Sequence, residues 1–317
     1  MTAYRQKKQT EKIKNKKELS QGVKLFLLIL PFVVLSFIFS YLPLYGWVYA
    51  LFEYRPPLRL SQCEFVGFKW FTLLFGNAMQ IKQLLKVMRN TFAMSGLGVL
   101  VSVLPVMFAV FLTEIKTTWY KKTVQTFTTL PNFISWVLVY SVAFSLFSNS
   151  GMVNNVLQSM GVISEPIKFL DSDNNTWLKM CFWGVWKGLG WSAIMYLAAI
   201  SGIDQELYEA ARVDGAGRFR LMWHITVPGL LPTYFVLLLL SIANFLSNGL
   251  DQYYVFQNAF NREHIQVLDL YVYNISMGGS NSYSLATVIS MLKSIISVTL
   301  LIGVNSFSKA VRGNSIV

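Results

Sequence analysis

Six long, largely apolar stretches dominate this chain of 317 residues, and none of them contains an aspartate or a glutamate. A helix needs about 20 residues to cross the hydrocarbon core of a bilayer. The composition fits a membrane protein, because 54% of the residues are hydrophobic and only 13% are charged. The sequence therefore predicts an all-α, polytopic protein with six transmembrane helices, near residues 25–50, 90–113, 124–147, 178–201, 229–248 and 284–306.

The positive charges predict how these helices are oriented. Residues 1–24 hold eight of the 27 Lys and Arg residues, and loops rich in Lys and Arg stay on the cytoplasmic side. We therefore expect both termini to be cytoplasmic, with a basic tail at 1–24, a transmembrane domain at 25–310 and a short tail at 311–317. The net charge of +12 then fits anionic headgroups better than nucleic acid.

The predicted outer loop 51–89 departs from this charge pattern. Lys82, Lys86 and Arg89 lie there at helical spacing, just before the second apolar stretch. Basic residues on one face of a helix are typical of helices that lie in the membrane surface. The spacing therefore predicts an interfacial helix at the outer surface.

Several chemistries lack the residues that they require. An ATPase needs a glycine-rich loop ending in Gly-Lys-Ser/Thr to hold phosphates, and the sequence has none. The two cysteines, Cys63 and Cys181, give neither a disulfide framework nor metal-ligand spacing. The aspartates of the predicted outer loops follow no nucleophile-base pattern; they are Asp171, Asp173, Asp251 and Asp269. We expect no catalytic residue, no metal site and no cofactor in this chain.

A short polar segment between the fourth and fifth apolar stretches predicts a docking elbow at the cytoplasmic surface, within about 202–228. Asp204 favours the start of a helix over 203–213, and Gly215 favours its end. A second short helix is predicted over about 217–225, before Pro228. The candidate docking residues are Glu209, Ala210, Ala211, Asp214 and Gly215.

This segment resembles the coupling loop of permease subunits in binding-protein-dependent ABC importers. It follows the pattern Glu-Ala-Ala, three residues, Gly, nine residues, Ile, one residue, Leu-Pro, with Val227 in place of the leucine. Further matches are Asn90-Thr91, the run Lys121 to Gln125 leading to 130–136, and Trp186 to Trp191. Together they resemble carbohydrate-uptake permeases for oligo- and polysaccharides, distantly related to the maltose permease. The resemblance covers about residues 25–310.

The resemblance implies a type I ABC importer permease fold in a bacterial plasma membrane. It also implies a second permease subunit in a heterodimer, two ATPase subunits that carry ATP and Mg²⁺, and an extracellular substrate-binding protein. The implied function is import of a sugar, and the resemblance favours an oligosaccharide. Two alternatives stay open: an ABC permease for another solute such as a peptide, and a self-contained secondary transporter. The second is disfavoured because proton relays need carboxylates inside the membrane.

Two lysines lie deep inside predicted spans. Lys187 and Lys293 each fall about nine residues into a helix, which at ~1.5 Å per residue is roughly 14 Å below the surface. A buried ammonium needs a cavity or a partner. One hypothesis places both in the substrate pathway. The alternative is that each caps backbone carbonyls or extends towards the interface.

Amide and aromatic side chains give further pathway candidates. Asn244, Asn248, Asp251 and Gln252 follow helical spacing that predicts one shared face. Trp183, Trp186, Tyr253 and Tyr254 are candidate platforms for sugar rings. The alternatives are interhelical hydrogen bonding by the amides and interfacial anchoring by the aromatic rings. The spacing of Gly184 and Gly188 predicts a close helix contact.

Overall fold

The computed structural model describes residues 20–278 and 282–312. Most of the two predicted tails therefore lies outside the described residues. The first half of the described chain is helical, with α1 continuing through a π-turn, Phe37–Tyr41, and a 3₁₀ segment, Leu42–Leu51. Its α-helices are α1 Gln21–Ser36, α2 Lys69–Gly76, α3 Ala78–Val101, α4 Val103–Thr113, α5 Thr118–Thr129, α6 Trp136–Phe147 and α7 Met152–Ser159.

The second half is helical as well. Its α-helices are α8 Thr176–Ser201, α9 Gln205–Val213, α10 Arg218–Leu221, α11 Val227–Ala243, α12 Asp251–Phe256, α13 Arg262–Ile265, α14 Leu268–Met277 and α15 Tyr283–Arg312. Within the described ranges, the β-structure consists of one isolated bridge between Phe52 and Phe65. The expected all-α class is confirmed.

Five helical segments are long and apolar enough to cross a membrane: Gln21–Leu51, Ala78–Thr113, Trp136–Ser159, Arg218–Ala243 and Tyr283–Ser306. The predicted fourth span corresponds to α8, which has 26 residues and is long enough to cross a bilayer. It is less apolar than the others because it carries Lys179 and Lys187. The count of six spans stays a prediction.

The second span begins earlier than predicted. Asn77 caps α3, since its Oδ1 accepts from the backbone N–H of Met79 at 2.9 Å. Lys82, Lys86 and Arg89 are therefore part of the same 24-residue helix that enters the membrane. The predicted interfacial helix is therefore not an element of its own, because no helix break separates these residues from the apolar part.

The predicted third span, 124–147, is not one continuous helix. It consists of α5 and α6, joined by the 3₁₀ turn Leu130–Phe133. Pro131 has no N–H to continue the helical hydrogen bonds, and the Ser135 hydroxyl restarts the helix by accepting from the Leu138 N–H at 3.4 Å. The interruption leaves carbonyl oxygens that need other donors.

The buried apolar side chains form three clusters. One lies where α3, α14 and α15 meet, a second contains Met94, Met180 and Tyr253, and a third contains Tyr196 and Leu230. Residues of the second and third clusters also line an opening of about 700 Å³ in the bundle. The packing of α3, α4, α8 and α11 therefore leaves a chamber between two hydrophobic layers.

Candidate functional site

The elbow between α8 and α11 has a defined geometry. Asp204 caps α9, its Oδ1 accepting from the Glu206 N–H at 3.0 Å. At the other end, the N–H of Gly215 donates to Arg212 O at 3.0 Å and that of Ala216 donates to Ala211 O at 2.9 Å. This pair of bonds is the Schellman closure, which needs a left-handed residue. Gly215 supplies it with φ of +77°, so the predicted cap and stop are confirmed.

The second arm of the elbow differs from the prediction. No separate helix ends near residue 225; instead α10, the π-turn Met222–Thr226 and α11 run on as one helical segment, Arg218–Ala243. A π-turn accepts hydrogen bonds from one residue further along than an α-turn. It lies directly before Pro228, which has no N–H to donate. The fifth span therefore extends into the elbow.

The elbow presents apolar side chains at its surface. Val213 is 88% exposed and Phe219 is 80% exposed, and Glu209 and Ala210 are exposed beside them. The two arms are tied together by the Tyr208 hydroxyl, 3.0 Å from Thr226 Oγ1. A rigid elbow with exposed apolar side chains is suited to contact with another protein.

A chamber of about 700 Å³ lies in the bundle between α3, α4, α8 and α11. Three amide side chains line it: Asn244, Asn248 and Gln252. Asn248 Nδ2 donates to Ser95 Oγ at 2.8 Å, and Gln252 Nε2 donates to Met180 O at 2.7 Å. Asn248 Oδ1 is buried and has no hydrogen-bond partner among the described residues. A buried oxygen without a donor marks a place where a ligand hydroxyl or a water can bind.

The amides do not share a helix face, which corrects the prediction. The helix α11 ends at Ala243 and α12 begins at Asp251. The chain between them turns through Gly249, whose φ is +82°. This irregular segment brings the three amides to the chamber and leaves Asp251 exposed and outside its lining.

Of the proposed aromatic platforms, Tyr253 lines the chamber, and Trp183, Trp186 and Tyr254 lie outside its lining. The Tyr254 ring packs against Tyr273 at 5.0 Å between centroids and is 45% exposed. Trp183 is 8% exposed and packs in the second cluster, 5.9 Å from the Phe256 ring. Trp183 lines a smaller, aromatic cavity of about 320 Å³ instead. Packing against other aromatic rings describes Trp183 and Tyr254 better than a sugar platform does.

Lys187 does not reach the chamber either. Its Nζ donates to the carbonyl oxygens of Pro131 at 3.0 Å, Asn132 at 2.8 Å and Ile134 at 2.6 Å. These are the carbonyls that the break between α5 and α6 leaves open. The Trp136 ring lies 5.5 Å away and adds a cation–π contact. The alternative weighed for Lys187, capping of backbone carbonyls, describes its position.

We expect Lys187→Met to reduce the yield of folded protein, because three carbonyls lose their donor, at roughly 1–3 kcal/mol for each group left unsatisfied. Uptake by the remaining complexes should fall by the same factor for neutral and for uronate-containing saccharides. Folded yield is measured by size-exclusion chromatography in detergent, and uptake by accumulation of labelled substrate. A larger loss for the uronates would contradict this role and return Lys187 to the pathway.

Lys293 is paired, not free in a chamber. Its Nζ forms an ion pair and hydrogen bond with Asp269 Oδ1, and both side chains are about one-fifth exposed. The prediction that Lys293 faces the pathway is not supported, since it is absent from the chamber lining. Asp269, which lies in a predicted outer loop, is therefore a helical residue of α14 with a charged partner.

Sequence reasoning missed residues of the chamber wall. Ser95, Gly98, Val99 and Ser102 line it at spacings of three, four and seven, which is the face of one helix. Small and polar residues on one face of an otherwise apolar helix could have indicated the chamber from the sequence. Gly184 and Gly188 also line the chamber, and no neighbouring group lies within 4 Å of the Cβ position of Gly188. The predicted close helix contact is absent at Gly188, and at Gly184 the nearest group to a Cβ would be Gln252 Oε1, at 3.7 Å.

The Asn90-Thr91 pair anchors the predicted outer surface. Asn90 Nδ2 donates to Glu263 O at 2.9 Å, and Thr91 Oγ1 accepts from the Leu268 N–H at 2.9 Å. Nearby, Lys86 lies 2.9 Å from the Glu263 carboxylate and holds the pKa of Glu263 below its usual value, chiefly through their hydrogen bond. The hydrogen bonds of Asn90 and Thr91 hold residues 261–268 against α3.

A membrane bundle with an amide-lined chamber and a structured elbow outside it defines a subunit for moving solutes across a membrane. The chain belongs to the family described as "Binding-protein-dependent transport system inner membrane component", whose model matches residues 16–309. The predicted family and the inner-membrane location are confirmed. The alternative of a self-contained secondary transporter is thereby excluded.

Similar proteins extend over nearly the whole chain. Protein LplB of Bacillus subtilis is 37% identical and the match covers 90% of this chain and 88% of LplB. The polygalacturonan/rhamnogalacturonan transport system permease protein YteP of the same organism is 35% identical, with 92% and 89% covered.

Solved structures match the fold. A bacterial ABC transporter involved in import of the acidic polysaccharide alginate contains a chain that is 30% identical, with a TM-score of 0.78 and coverage of 91% of this chain and 96% of that one. A second structure shows the bacterial alginate ABC transporter in complex with an alginate pentasaccharide-bound periplasmic protein; its matching chain has a TM-score of 0.79 and 29% identity. The expected type I importer permease fold is confirmed.

Proposed function

We propose that this chain is one half of the gated pathway of an ATP-driven importer for an oligosaccharide delivered by an extracellular binding protein. ATP hydrolysis takes place in two separate subunits, and a second, different permease completes the pathway. The relatives that transport polygalacturonan, rhamnogalacturonan and alginate support a saccharide substrate. The observation that carries the proposal is the chamber with its unpartnered Asn248 Oδ1.

The chamber suits a hydroxyl-rich solute. Planar amides offer both donors and acceptors to sugar hydroxyls, and Asn244, Asn248 and Gln252 supply three of them. The remaining wall is small or apolar, with Gly184, Gly188 and Met195 among its residues. A substrate bound by few, weak contacts can also leave, which transport requires.

The elbow transmits the ATPase cycle to this chamber. We infer that Glu209, Ala210, Ala211, Asp214 and Gly215 contact an ATPase subunit. The elbow joins α8 directly to the fifth span, and both helices line the chamber. Movement of the elbow therefore moves two walls of the chamber together, a rigid-body switch between outward and inward access.

The complex that co-purifies with the chain tests this proposal. Reconstituted in liposomes with its binding protein, it should accumulate an oligosaccharide only when ATP is supplied on the side of the ATPase subunits. The purified chain alone should hydrolyse no ATP. Uptake of a peptide or another non-carbohydrate solute, with no saccharide bound by the binding protein, would overturn the saccharide assignment.

Asn248→Ala should lower the rate of saccharide uptake about 2- to 10-fold, the effect of losing one hydrogen bond of ~0.5–1.5 kcal/mol. The assembled complex should remain intact. Asn155→Ala is the matched control, because the Asn155 amide donates only to Ser150 O at 3.1 Å and lies outside the chamber. Equal uptake by the Asn248 variant and the wild type would remove Asn248 from the pathway.

A further inference from the structure

Asp269 lies at a junction of three parts of the bundle. Its Oδ1 pairs with Lys293 on α15, and its Oδ2 accepts from the backbone N–H of Gly249 at 3.0 Å. Gly249 belongs to the irregular segment 244–250 that carries Asn244 and Asn248 into the chamber. The carboxylate therefore connects the last long helix to the backbone of the segment that carries Asn248 into the chamber.

The position of Asp269 itself is fixed from α3. The Thr91 hydroxyl accepts from the Leu268 N–H at 2.9 Å, and Asn90 Nδ2 donates to Gln266 O at 3.2 Å. Both acceptor and donor side chains on α3 are fully buried. The start of α14, where Asp269 lies, is thus held in place before its carboxylate contacts Gly249.

The segment that Asp269 holds needs such support. Residues 244–250 lie between two helices and have few helical hydrogen bonds of their own. Irregular backbone at membrane depth is found where it lines a cavity and where other groups satisfy its donors and acceptors. The Ser95 hydroxyl donates to Phe245 O at one end, and Asp269 accepts from Gly249 at the other. These two contacts set where the Asn248 amide points.

We propose that Asp269 is a positioning residue for the transport pathway: it holds Gly249, and through it Asn248 and Asn244, in the geometry that contacts the passing solute. Lys293 orients the Asp269 carboxylate and balances its charge. An ion pair that is mostly buried costs desolvation and is weak evidence for stability alone. The second contact of Asp269, with the N–H of Gly249 next to Asn248, indicates a role in placing the chamber amides. This inference rests on the proposed function of the chamber.

Two double variants separate the contact with Gly249 from the ion pair. Asp269→Asn with Lys293→Met removes both charges but keeps an oxygen that accepts from Gly249. Asp269→Leu with Lys293→Met removes the charges and the acceptor. Replacing a buried ion pair by apolar groups is often neutral for stability, so both complexes should assemble in similar yield.

The measured quantity is saccharide imported per ATP hydrolysed, in liposomes containing the co-purified complex and its loaded binding protein. The Asn–Met variant should stay within about twofold of the wild type, and the Leu–Met variant should fall about 3- to 10-fold, as expected when one hydrogen bond is lost. A change in the amount of active complex alters both rates together and leaves this ratio unchanged.

Equal ratios in the two double variants would overturn the assignment of Asp269. Loss of assembled complex in the Leu–Met variant alone would make Asp269 a structural residue and would overturn it as well. If the wild-type complex imports no saccharide, the proposed function fails instead, and the two failures are thereby distinguished.

Discussion

Gly215→Val is expected to abolish solute-stimulated ATP hydrolysis in the assembled complex, while the chain still inserts into the membrane. Gly215 has φ of +77°, a region that β-branched residues avoid at a cost of about 1–3 kcal/mol. No atom lies within 4 Å of its Cβ position, so the effect comes from the backbone and not from a clash. The turn must open, and the bonds from Gly215 to Arg212 and from Ala216 to Ala211 are lost.

The loss of these bonds changes the angle between α9 and the helical segment that begins at Arg218. We expect the elbow surface to lose its fit to the ATPase subunit while α8 and α11 keep their packing. The measurement compares ATPase activity with and without loaded binding protein, alongside the amount of complex recovered by size-exclusion chromatography.

A control lies two residues away. Gly217 has φ of −73° and, like Gly215, open space at its Cβ position. Gly217→Val should therefore retain coupling, and Gly215→Asn should retain part of it, since asparagine tolerates the left-handed region. Full coupling in Gly215→Val would show that the elbow does not transmit the signal.

The elbow was predictable because its determinants are local. A capping aspartate at 204 and a glycine at 215 define a short helix within a few residues. The continuity of the second arm was not predictable in the same way. Pro228 indicates a helix start, and only the π-turn before it shows how the helix accommodates a proline.

The chamber was predictable in part, and for a reason that proved wrong. Asn244, Asn248 and Gln252 were selected on helical spacing, yet they meet because the helix is interrupted. Sequence spacing does not reveal that Gly249 takes a left-handed conformation. The residue types were informative all the same, because polar amides at membrane depth need partners or a cavity.

The two deep lysines show why long-range partners are hard to predict. Lys187 is 53 residues or more away from the carbonyls that it binds, and Lys293 is 24 residues away from Asp269. Position along a predicted helix gives the depth of each lysine, but it does not show which groups of other helices lie next to it. The helix break at Pro131, which leaves the carbonyl acceptors for Lys187, lies inside the apolar stretch that was predicted as one span.

The contact between α8 and α5 is where we expect the largest effect on folding. Gly190 is buried, and a Cβ there would lie 2.4 Å from both the carbonyl carbon and the oxygen of Thr128. These are backbone atoms that no rotamer change can move. Gly190→Ala should therefore force α8 and α5 apart, at a cost of about 1–3 kcal/mol, and Gly190→Val should prevent recovery of the folded protein.

The same displacement would pull Lys187 away from Pro131, Asn132 and Ile134, because that side chain lies less than one turn from Gly190 on α8. Gly188→Ala is the matched control, since its Cβ position is open and alanine favours a helix by about 1 kcal/mol over glycine. Folded yield and thermal stability in detergent should fall for Gly190→Ala and stay equal or rise for Gly188→Ala. Equal stability of the two variants would mean that α8 and α5 do not pack at Gly190 as closely as the backbone positions indicate.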